Sequence, residues 1–264
     1  MKRLIAPVIC LAIVVTACSS KSDLGGSTSG STGPKDLTVF AASSLKGAFT
    51  QIAGDFSSAN QGDTVTFNFG PSDGLAAQIE SEGTADVFAA ASTKYMDEVQ
   101  QKVGVQGRTD FAQNRLVIIT PPDNPASIAS IADLATPGVQ LVLAATGVPV
   151  GDYARQALTN AGISDAALAN VVSNEEDDAS VVAKITAGEA DAAIVYASDV
   201  TDQVAPQVKA VQIPDDLNVV ATYPIAVVSG TSNSALAQAF VAYVTGPAGQ
   251  ATLKTFGFLP PPAS

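Results

Sequence analysis

Four short stretches place small or polar residues where a strand gives way to a helix: Ala41-Ala42-Ser43-Ser44, Gly70-Pro71-Ser72-Asp73, Gly147-Val148-Pro149-Val150-Gly151 and Glu175-Glu176-Asp177-Asp178-Ala179. The chemistry open to them is anion binding without positive side chains. Backbone N–H groups at a helix N-terminus lack intrahelical partners, and the helix dipole favours negative charge there. Serine hydroxyls add neutral donors whose direction adjusts to the ligand. The chain has no His and carries 13 basic against 25 acidic residues, a formal charge of −12. His-based triads, imidazole metal sites and a His general base are therefore excluded. A nucleic-acid surface, which needs a Lys/Arg face, is excluded as well. A small anion is not, provided neutral donors hold it.

The elements that must position these loops follow from periodicity. The 264 residues, 47% of them hydrophobic, are ample for a sizeable core. Leu37–Ala41, Thr64–Phe69 and Asp86–Ala90 read as strands, each followed by a helical pattern. The helices begin at Ser43-Ser44, at Pro71-Ser72-Asp73 and at Ser92. Further strands are expected near Arg115–Thr120, Val139–Leu143 and Ala192–Tyr196, and helices over Asp152–Asn160, Ala179–Ala187, Ser234–Val244 and Ala248–Phe256. Such alternation predicts parallel sheets with crossover helices. Asn218–Ser229 is a long apolar run broken by Pro224, unusual for one strand. A segment passing between two lobes accounts for it, and Arg115–Thr120 supplies the other passage. The expectation is an α/β chain of two lobes, residues 36–114 with 224–264 and residues 115–223, joined by two hinge strands.

Ahead of this body, Lys2 and Arg3 precede an apolar run from Leu4 to Val15 and then Thr16-Ala17-Cys18. This is the order of a secretory signal, too short to be read first as a membrane span. Val15-Thr16-Ala17-Cys18 resembles the bacterial lipobox, in which the Cys is lipidated and becomes the first mature residue. Residues 1–17 are thus expected to be a lipoprotein signal peptide, Cys18 the lipid attachment point, and residues 18–35, rich in Ser, Thr and Gly, a flexible tether. Removal of the leader leaves 11 basic against 25 acidic side chains, a formal −14. The mature chain would hold a single Cys and no internal disulfide.

The body resembles the periplasmic molybdate-binding proteins of ABC transporters. The resemblance rests on Thr38-Val39-Phe40-Ala41-Ala42-Ser43-Ser44-Leu45, Phe69-Gly70-Pro71-Ser72-Asp73-Gly74-Leu75 with Gln78-Ile79-Glu80, and Ala85-Asp86-Val87-Phe88-Ala89-Ala90-Ala91. It continues through Val148-Pro149-Val150-Gly151-Asp152-Tyr153-Ala154, Ile194-Val195-Tyr196-Ala197-Ser198-Asp199, Tyr223-Pro224-Ile225-Ala226-Val227-Val228 and Phe256-Gly257-Phe258. The matches keep their order from about residue 37 to 258. The resemblance implies a two-lobed type II periplasmic-binding-protein fold with the oxyanion between the lobes. It also implies a monomeric, lipid-anchored receptor on the extracytoplasmic face of the membrane, which delivers molybdate and tungstate to the permease of an ABC importer. No catalysis and no cofactor are expected. Carried over residue by residue, the ligand set falls on the hydroxyls of Ser44 and Ser72, the amides of Val150 and Asp178, and the Tyr196 hydroxyl. Ser43 is the alternative to Ser44.

Other roles compete for the same residues. Ser44 and Ser72 suit helix N-caps on stability grounds alone, Tyr196 suits a core ring with a bonded hydroxyl, and Val148-Pro149-Val150-Gly151 suits a plain turn. Asp178 departs from the family, whose residue there is often apolar. One account makes it the N-cap of a helix beginning at Ala179, showing only its amide to the cleft. The other makes it an acceptor for a protonated oxyanion such as hydrogen phosphate. The alternatives for the whole chain are a sulfate or phosphate receptor and a structural envelope lipoprotein. A serine hydrolase fits poorly, because Ser44 has no Gly-x-Ser-x-Gly setting and no His to activate it.

Overall fold

The computed structural model describes residues 35–60 and 62–263, so the signal peptide, Cys18 and all of the tether but Lys35 lie outside the described residues. The order of elements is β1 (Asp36–Ala42), α1 (Lys46–Ala59), β2 (Thr64–Gly70), α2 (Ser72–Glu82), β3 (Val87–Ala89), α3 (Thr93–Lys102), β4 (Val105–Asn114) and β5 (Leu116–Thr120). Then come β6 (Leu141–Ala144), α4 (Pro149–Asn160), α5 (Ser164–Leu168), β7 (Val171–Glu175), α6 (Asp178–Thr186) and β8 (Ala192–Tyr196), followed by β9 (Lys209–Gln212), β10 (Ala221–Val228), α7 (Ser234–Thr245) and α8 (Pro247–Thr255). Among the described residues the strands form two five-stranded sheets, ordered β2-β1-β3-β10-β4 and β7-β6-β8-β5-β9.

Each sheet is mixed, which corrects the expectation of parallel sheets. β1 runs parallel to β2 and β3, and β6 to β7 and β8, as strand–helix alternation requires. β10 is antiparallel to both its neighbours, and so is β5. These two strands are the ones entered as the chain leaves one sheet for the other, so no crossover helix sets their direction. β10 also carries Pro224 in a central position. The ladder with β4 shifts register between Tyr223 and Pro224 and again between Ile225 and Val227. Proline, which has no N–H to donate, is tolerated at such irregularities.

The helices pack because their apolar residues recur on one face. In α1, Ala48, Phe49, Ile52, Ala53 and Phe56 are buried. The Phe49 ring lies 6.1, 5.8 and 6.0 Å from those of Phe67, Phe111 and Phe240, joining α1 to β2, β4 and α7. A buried phenylalanine of this kind contributes about 1.5–3 kcal/mol by area alone.

Both passages between the sheets are tied by asparagine side chains. Asn114, fully buried, accepts from the Arg115 amide at 3.0 Å and donates to Ser198 Oγ at 2.8 Å. Asn218 accepts from the Leu116 amide at 3.0 Å and donates to the Leu116 carbonyl at 2.9 Å. Each side chain replaces ladder bonds that the chain forgoes where it changes sheet.

Candidate functional site

The C-terminal ends of β1, β2, β6, β7 and β8 face one another across the two sheets, as expected for ligand sites in open α/β sheets. Ser43, Ser44, Ser72, Val150, Asp178 and Tyr196 meet there around a small cavity of about 10 Å³. All five positions carried over from the resemblance therefore reach one place. No Lys or Arg lies among the residues lining it.

Local sequence explains how each donor is presented. After β1 the chain makes a single 3-10 turn, Ser43–Leu45, before α1, which turns both serines toward the cavity. Pro71 holds extended backbone angles, and Ser72 is the first residue of α2. Pro149 occupies the first position of α4, where its missing N–H costs nothing, so Val150 presents the first available amide. Asp178 opens α6 in the same manner. Gly151 lets α4 begin so close to β6, because a Cβ there would lie 2.5 Å from the Ala144 oxygen and 2.4 Å from that of Ala145. Arg155, one turn on, spends its guanidinium on the Ala144 and Gly151 carbonyls at 2.7 and 2.8 Å. Its charge braces α4 against β6.

The side chains form a connected set. Ser72 Oγ accepts from the Ala91 amide at 3.0 Å, and Ser44 Oγ bonds the Tyr223 hydroxyl at 3.0 Å. Asn114 Nδ2 lies 3.4 Å from that hydroxyl as well. The Tyr196 and Tyr223 rings meet edge to face, 5.8 Å between centroids. Ser43 donates to the Asp178 carboxyl, and the Asp199 carboxyl accepts from the Tyr196 amide at 2.9 Å. The Tyr196 hydroxyl is different: its ring is 1% exposed, and among the described residues the oxygen has no hydrogen-bond partner. Buried hydroxyls are almost always paired, so an orphan aimed into a cavity points to a ligand.

Burial governs the electrostatics. Removal from water pushes the Tyr196 and Tyr223 phenols well above the usual tyrosine range, so both stay neutral donors. The Asp178 carboxyl is raised by burial, and the Ser43 hydroxyl opposes that rise. Asp199 is pushed well above the usual carboxylate range, first by burial and then by the charge of Asp178.

Several competing roles fall away. Neither serine caps a helix: the N-cap of α2 is Pro71, that of α1 is Leu45, and the 3-10 turn starts after Ala42. Asp178 is not an N-cap either. Asp177 takes that place, accepting from the Ser180 amide at 2.7 Å, because α6 starts one residue earlier than expected. The Asp178 side chain is 3% exposed and turned inward. Tyr196 is a core ring, but its hydroxyl lacks the partner a core tyrosine finds. Sequence reasoning missed Tyr223, Asn114 and Asp199 as members of the site. Tyr223 and Asp199 stood inside segments that carried the family resemblance, which was their one signal.

The family model of bacterial extracellular solute-binding proteins matches residues 37–259. The chain is similar to the molybdate-binding protein ModA of Mycobacterium tuberculosis, with 41% identity over 248 residues, 94% of this chain and 93% of that protein. It is similar to ModA of Escherichia coli, with 34% identity over 230 residues, 84% and 88% of the two chains. Its backbone resembles that of the Azotobacter vinelandii periplasmic molybdate-binding protein, with a TM-score of 0.76 covering 86% of this chain and 100% of that one; at 22% identity this likeness bears on the fold alone.

Proposed function

The chain belongs to the bacterial extracellular solute-binding proteins, and from that membership we propose that it captures molybdate outside the cytoplasmic membrane and hands it to the permease of an ABC importer. It is a binding protein, which holds and releases its cargo unchanged. The observation that carries the reading is the orphan Tyr196 hydroxyl, buried in a cavity that is also lined by Ser43, Ser44 and Ser72 and by the starts of two helices. A tetrahedral dianion without protons asks only for donors, and this set offers them without a compensating cation. The ligand set is Ser44, Ser72 and Tyr196 through their hydroxyls, with Val150 and Asp178 through their amides. Tungstate, alike in charge and shape, fits the same donors. Residues 36–114 with 224–264 act as one lobe and residues 115–223 as the other, closing on the ion about the passages at Asn114 and Asn218. The chain works as a monomer held at the membrane by lipid on Cys18, and a Cys18→Ser chain recovered in the soluble fraction is the expected sign of that anchor.

Isothermal titration with molybdate, tungstate, sulfate and phosphate tests the assignment. Tight binding of the first two and little response to the others is expected, and equal binding of molybdate, sulfate and phosphate would overturn it. One observation favours a second reading. The Asp178 carboxyl in the cavity is an acceptor, which hydrogen phosphate would use, and phosphate binding alone in that panel would decide for it.

A further inference from the structure

An oxyanion site built from donors has no use for a carboxyl, yet Asp178 brings one into it. The arrangement around that carboxyl suggests what it does. Asp178 lines both the oxyanion cavity and a larger groove of about 610 Å³, which Asp199 also lines. The two carboxyls lie within hydrogen-bond reach of each other. The turn after β1 supplies the Ser43 hydroxyl to Asp178, and Asp199 receives the amide of Tyr196, the residue whose buried hydroxyl is unpartnered in the same cavity. The pair therefore sits directly against the place where the ligand is held.

The groups that face the pair supply little countercharge. α6 contributes Asp177, a further acid, while β8 and β10 contribute the neutral phenols of Tyr196 and Tyr223. α1 contributes Lys46, which lines the groove but is exposed to solvent, where its charge is screened. Two carboxyls in contact and largely removed from water cannot both ionise without a cation between them. A dianion arriving beside them deepens the repulsion. The groove opens the far side of the pair to water, the source and sink of its protons.

We propose that Asp178 and Asp199 share a proton beside the oxyanion cavity, and that capture of a divalent oxyanion is coupled to proton uptake by this pair. The inference rests on the oxyanion reading of the cavity. No bond other than O–H changes: the proton comes from solvent when the ion enters and returns when it leaves. By linkage, affinity rises as pH falls, by up to tenfold per pH unit for one proton. The same pair shapes stability without ligand. A carboxyl that binds its proton more tightly folded than unfolded loses stability as pH rises from the unfolded value through the folded one.

The test is molybdate titration calorimetry from pH 6 to 9 in buffers of different ionisation heat, on the wild type, Asp178→Asn and Asp199→Asn. The Asn side chains can still accept from Ser43 and from the Tyr196 amide. Expected for the wild type are buffer-dependent heats that report proton uptake and a Kd that weakens with pH, with both effects lost in each variant. Buffer-independent heats in the wild type, or uptake that persists in both variants, would overturn the coupling. Thermal unfolding of the ligand-free proteins over the same pH range provides the second measurement. A decline in Tm with pH confined to the wild type supports the shared proton, and coincident profiles in all three overturn it. If none of the three proteins binds molybdate, the oxyanion reading fails and the coupling with it, while the ligand-free profiles still report on the pair.

Discussion

Replacing the Tyr196 hydroxyl by hydrogen should separate binding from folding. That oxygen is buried without a partner among the described residues, so Tyr196→Phe should leave stability unchanged or raise it by up to about 1 kcal/mol. Molybdate affinity should nevertheless fall about tenfold or more, since a hydrogen bond to a charged group is worth roughly 1.5–3 kcal/mol. Ser72→Ala should behave differently. It removes a proposed donor to the ion and also the acceptor of the Ala91 amide, so affinity should drop by a comparable factor and stability should fall by about 1–3 kcal/mol. Thermal unfolding and calorimetric titration of the two variants side by side check both halves of the contrast. An unchanged Kd in Tyr196→Phe would remove this tyrosine from the ligand set.

The helix starts are as specific as the side chains. Gly151→Ala would drive a methyl group into the Ala144 and Ala145 carbonyls, and overpacking of that kind costs about 1–3 kcal/mol. Scanning calorimetry should show Tm lower by roughly 2–10 °C, and the displaced Val150 amide should weaken molybdate binding at temperatures where the fold is intact. At this scale the sequence was informative where periodicity is strong. β8 and the helices from α4 to α8 that were expected lie within a few residues of their predicted positions, with Ser92 capping α3 as read. β4 was missed because Val105–Asn114 carries six polar residues among its ten and alternates poorly, and β9, Lys209–Gln212, is too short to show a period. The direction of β5 and β10 was not legible either, since it follows from how the chain crosses between sheets. The same limit applied to the site. The serines, Val150 and Tyr196 stand at element ends that can be read locally, whereas the partner of the Asp178 carboxyl is 135 residues away in the chain.

For the whole molecule, ligand and fold are linked by mass action. Molybdate at a hundred times its Kd should raise the free energy of unfolding by about 2.7 kcal/mol, seen as a Tm that climbs with ligand concentration, while sulfate at the same concentration should leave Tm in place. The chain of bonds from Asn114 through Tyr223 to Ser44 joins a passage between the sheets to a proposed ligand. Movement about that passage and occupancy of the site should therefore change together, and small-angle scattering should record a smaller radius of gyration when molybdate is added. The paired rings of Tyr196 and Tyr223 have a further use. The protein has five tyrosines and no tryptophan, so no indole drains the excitation of Tyr196, which lines the cavity, or of Tyr223, whose ring packs against it. Their ultraviolet emission is a built-in light signal for the arrival of the ion, and a stopped-flow fluorimeter can time capture and release on the unlabelled protein.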